Sequence, residues 1–180
     1  MIENPSLIFV LGGARSGKSA YAEGLLAVHP SPWIYVATAQ AFDDEMRERI
    51  DLHRERRDAR WRTIDAPQDL VGAIRAAPAD APMLIDCLGV WVSNRLLNDA
   101  DLAADRAALV MALQQRSAPT VVVSPEVGLS IVPENALARA FRDAVGLLHQ
   151  DVARIARAVT LVVAGYPVMV KGSQGETSVR

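Results

Sequence analysis

An eight-residue loop near the amino terminus has the residue types and spacing that bind phosphate. It reads Gly12-Gly13-Ala14-Arg15-Ser16-Gly17-Lys18-Ser19 and matches the pattern G-x-x-x-x-G-K-[ST] in full. The glycines let the backbone curl so that successive N–H groups point at phosphate oxygens, and a helix starting near Lys18 adds its positive end. We expect Lys18 to reach the β- and γ-phosphates and the Ser19 hydroxyl to bind Mg²⁺. The loop therefore predicts a nucleotide site.

The lysine usage of the chain supports this prediction. Arginine occurs seventeen times, whereas lysine occurs only as Lys18 and Lys171. A lysine ammonium is a compact point charge on a flexible stem, unlike the planar fork of arginine. Retention of a lysine at position 18 therefore fits contact with phosphate.

A second candidate position lies at the end of another apolar run. Asp86 follows Met83-Leu84-Ile85, and in proteins with this loop an acid at the end of a buried strand holds Mg²⁺. An acid there could equally cap the helix that follows. The neighbouring Cys87 is more simply a small core residue than a nucleophile, because no nearby residue marks it as activated.

The segment 43–57 predicts a charged helix with its acids at the start and its arginines near the end. Met46, Ile50, His53 and Arg57 recur at spacings of four, three and four, so they share one face. Arginines around His53 would disfavour protonation of the imidazole and surround a phosphate that it attacked. A solvent-exposed helix with an incidental histidine remains an alternative on these residues alone.

The elements that must position these residues alternate between strand and helix. Each predicted strand is a continuous apolar run, which is typical of strands covered on both faces. The predicted strands are Leu7–Leu11, Trp33–Ala37, Met83–Cys87, Thr120–Ser124 and Val159–Ala164, and the predicted helices cover about 18–28, 44–58, 68–77, 88–97, 103–116 and 135–157.

This alternation predicts an α/β fold: one domain over residues 1–170, with a mostly parallel sheet and helices on both faces. The last helix is the clearest, with Asn135 as its N-cap. Its apolar stripe consists of Leu137, Phe141, Val145, Leu148, Val152 and Ile155. Residues 171–180 have no periodicity, which predicts a flexible tail. Ligands of such sheets bind at the carboxyl ends of the strands.

Length and composition exclude several classes of protein. The chain has 180 residues, 51% hydrophobic and 22% charged, with a formal charge of −2. A near-neutral charge gives no basic field for nucleic acid. The apolar runs are too short or interrupted for membrane insertion, and the amino terminus lacks the basic start of a signal peptide. A single cysteine suits a reducing, cytoplasmic location.

Taken together, these segments resemble the bifunctional adenosylcobinamide kinase/adenosylcobinamide-phosphate guanylyltransferases of cobalamin biosynthesis. The phosphate loop alone would match a whole superfamily, but two other blocks, residues 43–57 and 126–143, are particular to this family. The matching stretches are GGARSGKS (12–19), YVATAQ (35–40), DDEMRERIDLHRERR (43–57), WRT (61–63), LIDCLGVWVSN (84–94), EVGLSIVPENALARAFRD (126–143) and LVVAG (161–165).

The resemblance implies two reactions in a single P-loop NTPase domain of RecA-like type. Such enzymes phosphorylate adenosylcobinamide with ATP or GTP, and then transfer GMP from GTP to the product through a guanylylated histidine. That nucleophile falls on His53, with Lys18 as the second catalytic residue. The implied nucleotide contacts are Gly12–Ser19, Ala37, Thr38, Ala39, Arg54, Glu55, Arg56, Arg57, Asp65 and Asp86, and the implied Mg²⁺ ligands are Ser19 and Asp86. The family assembles as a homotrimer.

The sequence departs from the family pattern at two positions. Pro125 stands where the family usually has asparagine, and Gly89 replaces a usual threonine or serine. The neighbouring Glu126 is a candidate catalytic or metal-ordering acid, or else a structural loop acid.

Three alternatives remain. A regulatory GTPase fits the size, and residues 86–89 spell D-x-x-G, but no Asn-Lys pair is present for N-K-x-D. A simple small-molecule kinase without nucleotidyl transfer would not need His53. A non-catalytic nucleotide-binding module would not need Lys18, Ser19 and Asp86 together.

Overall fold

A seven-stranded sheet is the framework of the protein. The computed structural model describes residues 3–41, 44, 47, 48 and 57–172. The strands are β1 (Asn4–Gly12), β2 (Trp33–Ala37), β3 (Trp61–Asp65), β4 (Met83–Asp86), β5 (Thr120–Pro125), β6 (Ala156–Val163) and β7 (Tyr166–Lys171). They lie in the order β3-β2-β4-β5-β1-β6-β7. All the pairings are parallel except that of β7 with β6.

Helices cover both faces of this sheet. Among the described residues they are α1 (Lys18–Leu26), α2 (Leu70–Ala76), α3 (Leu88–Leu97), α4 (Leu102–Gln115) and α5 (Ala136–Ile155). Helices α2 to α5 pack in one hydrophobic core and α1 in the other. Strand residues alternate between the two cores: Phe9 and Ile85 face the larger, Val10 and Leu84 the smaller. The prediction of a mostly parallel sheet with helices on both faces is confirmed.

The five predicted strands and most predicted helices are present within a few residues of their predicted bounds. The helix predicted over 44–58 falls largely on residues outside those described. None of the described helices is both long and apolar enough to cross a bilayer.

Two strands were not predicted: β3 has no continuous apolar run, and the apolar residues of β7 follow Gly165 and are interrupted by Pro167. Strand β3 lies at one edge of the sheet and mixes polar with apolar residues. Strand β7 lies at the other edge and is largely exposed. It folds back on β6 through Ala164 and Gly165, which have φ values of 51° and 86°, as a two-residue hairpin turn requires. Every side chain of these two edge strands is half-buried or exposed, so neither strand has the buried apolar pattern of the central strands.

The last helix differs from its predicted stripe at one end. Asn135 caps α5 as predicted, by accepting a hydrogen bond from the Ala138 N–H at 3.1 Å. Val145, Leu148, Val152 and Ile155 are buried. Leu137, however, is 50% exposed, because the first turn extends beyond the edge of the core.

The predicted tail 171–180 starts inside β7. Lys171 is the last residue of that strand, and its ammonium donates hydrogen bonds to the carbonyls of Ala153, Arg154 and Ala156 at the end of α5. A lysine at this position satisfies carbonyls that the helix leaves without partners. Residues 173–180 lie outside those described.

Candidate nucleotide-binding site

The carboxyl ends of five neighbouring strands bring predicted site residues to one edge of the sheet. Ala37 is paired with Asp65 on one side and with Asp86 on the other. Gly12, the first residue of the phosphate loop, is paired with Pro125 of β5. Strand β5 separates β4 from β1, so Asp86 and the loop lie on either side of it. This is the edge at which open α/β sheets bind their ligands.

The phosphate loop is shaped by close backbone approach at two glycines. Gly17 has a φ of 91°, in the left-handed region, and a Cβ there would lie 3.3 Å from Gly165 Cα. A Cβ on Gly12 would overlap Ser16 Oγ and would lie 2.8 Å from the Val162 carbonyl oxygen. The Gly165 N–H donates a hydrogen bond to the Ser16 carbonyl at 2.8 Å. The β6–β7 turn therefore braces the outer side of the loop.

Two polar groups of this loop are arranged as a phosphate ligand would need them. The Lys18 ammonium folds back to donate a hydrogen bond to the Gly13 carbonyl at 3.1 Å. Ser16 Oγ is buried and has no hydrogen-bond partner within the described part of the protein. A buried hydroxyl without a partner is costly, and a phosphate oxygen in the loop would supply the missing acceptor. The residues of the loop therefore fit the predicted ligand.

Across the edge from this loop, Tyr35 and Asp86 form a hydrogen-bonded pair. The Tyr35 hydroxyl donates to Asp86 Oδ2 at 3.0 Å. Burial, and then the negative charge of Asp86, raise the pKa of Tyr35, so the phenol remains a donor at neutral pH. The alternative that Asp86 caps α3 is wrong, because the residue before that helix is Cys87 and it makes no side-chain cap. Tyr35 was not predicted as a site residue, although it lies within a predicted strand.

Arg57 covers the ring of this tyrosine. Its guanidinium carbon lies 3.6 Å from the centroid of the Tyr35 ring, a cation–π contact. Its Nη1 is buried and has no hydrogen-bond partner in the part of the chain that the structure describes. A buried arginine N–H without a partner, at the edge of the sheet where ligands bind, is suited to an anionic ligand.

The Thr38 side chain is buried and makes its hydrogen bonds within the protein. The residue is fully buried. Its hydroxyl donates to the Cys87 carbonyl at 2.8 Å and accepts from the Cys87 N–H at 2.9 Å. Asn94 in turn donates to the Thr38 carbonyl. The hydroxyl thus braces the turn that carries Asp86, while Ala37 and Ala39 beside it are half-buried.

The thiol of Cys87 is not an activated nucleophile. Burial, and after it the negative charge of Asp86, raise the pKa of this thiol to about 12. A thiol with that pKa is protonated at neutral pH. The observation supports the interpretation of Cys87 as a small core residue.

Gly89 and Pro125, which the sequence analysis singled out, pack against each other. A Cβ built on Gly89 would overlap Cγ of Pro125 and would lie 2.6 Å from Cδ of the same ring. Any side chain at position 89 would therefore collide with the proline. Gly89 and Pro125 form one structural unit, although they lie on different elements.

A buried histidine was also missed by sequence analysis. His149 of α5 is 8% exposed, and its Nε2 lies 2.8 Å from Ser124 Oγ. Its Nδ1 lies 3.6 Å from Glu126 Oε2. The Glu126 N–H donates to the Gly12 carbonyl at 3.0 Å, which fixes this acid to the phosphate loop. The available signal was the position of His149 beside Leu148 on the buried face of the helix.

The remaining predicted residues are only partly covered. His53, Arg54, Glu55 and Arg56 lie outside the described residues. Asp65 is exposed at the end of β3. Nowhere in the described ranges do three or more His, Cys, Asp or Glu residues form a metal cluster. Ser19 and Asp86 offer instead a hydroxyl and a carboxylate, the hard oxygen donors that suit Mg²⁺ when substrate phosphates complete its coordination.

The sheet order and the phosphate loop define this protein as a P-loop NTPase of RecA-like type. Solved structures with the same fold include the flagellar accessory protein FlaH from Methanocaldococcus jannaschii, with a TM-score of 0.53, 12% identity, and coverage of 96% of this chain and 80% of that one. A KaiC-like protein from Pyrococcus horikoshii matches with a TM-score of 0.52 and 15% identity, over 96% of this chain and 82% of that one. At such identities the likeness shows the fold alone.

Within that class, the chain belongs to the cobinamide kinase / cobinamide phosphate guanyltransferase family, whose model matches residues 8–170. The bifunctional adenosylcobalamin biosynthesis protein CobP of Pseudomonas aeruginosa is 45% identical over 166 residues, covering 91% of this chain and 96% of the relative. The bifunctional adenosylcobalamin biosynthesis protein CobU of Salmonella typhimurium is 43% identical over 182 residues, covering 92% and 99%. The resemblance stated from sequence is confirmed.

Proposed function

We propose that this protein carries out both reactions of its family at the carboxyl edge of the sheet. It is a cobinamide kinase and a cobinamide-phosphate guanylyltransferase. The observation that carries this function is the complete phosphate loop, with its unpartnered Ser16 hydroxyl, facing the Tyr35–Asp86 pair in a chain of this family. The bifunctional names of the relatives favour it over a simple small-molecule kinase.

In the kinase reaction, the hydroxyl of adenosylcobinamide attacks the γ-phosphorus of ATP or GTP. Lys18 and the backbone N–H groups of Gly12–Ser19 hold the phosphates and offset the charge that develops on them. When nucleotide enters, the Lys18 ammonium exchanges the Gly13 carbonyl for a phosphate oxygen.

Ser19 and Asp86 are the residues that would hold Mg²⁺. The bound ion would supply charge neutralisation on the phosphate oxygens. The Tyr35 hydroxyl holds the Asp86 carboxylate through its 3.0 Å hydrogen bond, and so orients it toward the site.

In the guanylyl transfer, His53 is the proposed nucleophile. Its neutral imidazole nitrogen attacks the α-phosphorus of GTP, so an N–P bond forms, the bond to the β-phosphate oxygen breaks, and pyrophosphate leaves. The phosphate of the corrinoid then attacks the same phosphorus, and the N–P bond breaks. Arg54, Glu55, Arg56, Arg57 and Asp65 are the proposed further nucleotide contacts, together with Ala37, Thr38 and Ala39.

The proposal extends to the setting of the enzyme. We expect a homotrimer in the cytoplasm that acts on small-molecule corrinoid and nucleotide substrates.

The test is a covalent label on His53. Wild type, His53→Ala and His29→Ala are incubated with Mg²⁺ and GTP labelled at the α-phosphate, and are then denatured. His29→Ala is the matched control, because it makes the same change at a histidine whose side chain makes no described hydrogen bond. We expect an adduct that is released by acid and stable in alkali in wild type and His29→Ala, and none in His53→Ala.

The outcomes separate the candidate functions. Label that persists in His53→Ala would assign the nucleophile to another residue. Absence of label in wild type that binds GTP would leave a simple kinase, which the phosphorylation assay then measures separately.

A further inference from the structure

Strand β5 places an acid between the two halves of the nucleotide site. It lies between β1, which carries the phosphate loop, and β4, which ends in Asp86. Glu126 directly follows β5, and its backbone N–H is bonded to the Gly12 carbonyl. The backbone of Glu126 is therefore fixed at the start of the phosphate loop.

The carboxylate of Glu126 is hydrogen-bonded through one oxygen and faces a histidine with the other. Oε1 accepts a hydrogen bond from the Gly128 N–H at 2.5 Å. Oε2 faces His149 Nδ1 at 3.6 Å. The side chain keeps 21% of its surface exposed, so it can exchange a proton with substrate or solvent.

The histidine behind Glu126 is itself fixed in the core. Its ring packs edge-on against Phe9, with 5.5 Å between the ring centroids, and Nε2 meets the fully buried Ser124 hydroxyl. Burial lowers the pKa of His149, although Glu126 opposes the shift, so the ring is neutral at pH 7. We assign its single proton to Nδ1, facing Glu126, with Nε2 accepting from Ser124.

Ser124, His149 and Glu126 form a row of neighbouring polar groups, which we call the relay. This relay is not a nucleophilic triad. Ser124 has no exposed surface, so its hydroxyl cannot reach a substrate. The exposed end of the relay is the carboxylate, and a carboxylate at an active-site edge can accept a proton.

The other two acids of this edge are less suited to that role. Asp86 accepts the Tyr35 hydroxyl and is the proposed Mg²⁺ ligand, and a carboxylate bound to a metal is a poor proton acceptor. Asp65 belongs to the edge strand β3, which β2, β4 and β5 separate from the phosphate loop.

We propose that Glu126 is the proton acceptor of the kinase reaction, and that His149 and Ser124 are positioning residues for its carboxylate. The inference rests on the proposed function. As the O–P bond to the acceptor alcohol forms and the bond to the β-phosphate oxygen breaks, the alcohol proton passes to Glu126. The nucleoside diphosphate leaves, and Glu126 releases the proton to solvent.

The two half-reactions provide the test, because attack by a neutral imidazole on GTP removes no alcohol proton. Kinase turnover and His53 labelling are measured on the same preparations of wild type, Glu126→Gln and Glu134→Gln. Glutamine keeps the acceptor for the Gly128 N–H, and Glu134 is an exposed acid of the same loop region. We expect the ratio of kinase kcat to labelling rate to fall about 100-fold or more in Glu126→Gln and to stay near the wild-type ratio in Glu134→Gln.

Variants of His149 test the positioning role. His149→Phe preserves the packing against Phe9 but removes the Nδ1 group that faces Glu126, and we expect kinase kcat to fall about tenfold with little change in KM for nucleotide. His149→Asn restores an N–H near the Nδ1 position and should recover part of the loss. A purely structural role would give no such recovery at equal thermal stability.

Several results would overturn the inference. One is a fall of less than about fivefold in Glu126→Gln kinase kcat, well short of the effect of losing a proton acceptor. Another is an equal loss of kinase and labelling rates, which would indicate a role in the shared nucleotide site. If wild type phosphorylates the corrinoid but takes no label, the nucleotidyl-transfer proposal fails, and kinase kcat of Glu126→Gln against Glu134→Gln still decides the role of Glu126.

Discussion

The two sides of the nucleotide site are built in different ways. The phosphate loop, Gly12–Ser19, is one continuous segment whose shape depends on backbone conformation at Gly12 and Gly17. The facing rim consists of Tyr35, Thr38, Asp86, Gly89 and Pro125, and it draws on β2, β4, β5 and α3. In the rim, each position depends on a residue from another part of the sequence.

This difference has a consequence for how the two sides tolerate change. The loop needs a strand before it and a helix after it, and most of its contacts are made by its own backbone. The rim residues are in direct contact with one another, so a change at one of them requires a change at its neighbour. Gly89 and Pro125 are such a pair, because a Cβ at position 89 would overlap the proline ring.

The largest effect is expected in the loop. Lys18→Met removes the ammonium that both reactions share, so we expect kinase turnover and His53 labelling each to fall at least about 100-fold. Stability should change little, because the ammonium makes a single exposed hydrogen bond. Steady-state kinetics and the α-phosphate label measure the two losses.

Lys171→Met is the matched control for this change. It alters the only other lysine of the sequence, which binds carbonyls at the end of α5 and an oxygen of Glu3. It should lower the melting temperature while leaving turnover near the wild-type value. If Lys18→Met lost one reaction and kept the other, the two reactions would not share the phosphate loop.

A smaller effect is expected in the rim, and it should depend on the partner residue. Gly89→Ala places a methyl group against the Pro125 ring, and overpacking of this kind costs about 1–3 kcal/mol. In the double variant Gly89→Ala/Pro125→Ala the ring atoms are gone, so we expect a favourable coupling energy of about 1–2 kcal/mol. Denaturant unfolding of the two single variants and the double variant measures it.

Gly146→Ala is the control for helix propensity, since a Cβ there meets no atom within 4 Å. It should stabilise the protein by roughly 0.5–1 kcal/mol. The rim would not be a coupled unit if Gly89→Ala were as stable as Gly146→Ala, or if the energies of the single variants simply added.

The smallest effect concerns His149, which packs beneath the rim, and it depends on pH. Because burial lowers the pKa of His149 in the folded state, the unfolded chain takes up a proton there first as the pH falls. The contribution of this group to stability is present above its unfolded pKa of about 6.5 and is lost as the pH decreases through the folded value. His149→Phe should therefore lose less stability than wild type between about pH 7 and pH 5.

Urea unfolding of both proteins at several pH values makes this comparison. Groups that do not face His149 are common to the two proteins and cancel in the difference, whereas Glu126, which faces the ring, is part of the effect that is measured. Parallel stability curves would show that His149 titrates alike in the folded and unfolded states.

The sequence alone determined the phosphate loop, the five central strands and the predicted fold. These features are local: G-x-x-x-x-G-K-[ST] specifies its own backbone shape, and continuous apolar runs such as Thr120–Ser124 indicate strands buried on both faces. Family resemblance chose the nucleophile interpretation of His53 over that of an incidental histidine, and it added Asp65 and the nucleotide-binding role of the arginines of 54–57. It could not show that the Thr38 hydroxyl is hydrogen-bonded to the backbone of Cys87.

Only the tertiary structure decided which distant residues meet. Tyr35 and Asp86 are brought together because β2 and β4 are neighbours in the sheet. His149 reaches Ser124 and Glu126 because α5 packs beneath the end of β5. No periodicity encodes such meetings, since they depend on strand order and register. Gly89 and Pro125 are far apart in the sequence, and the fold brings them into contact.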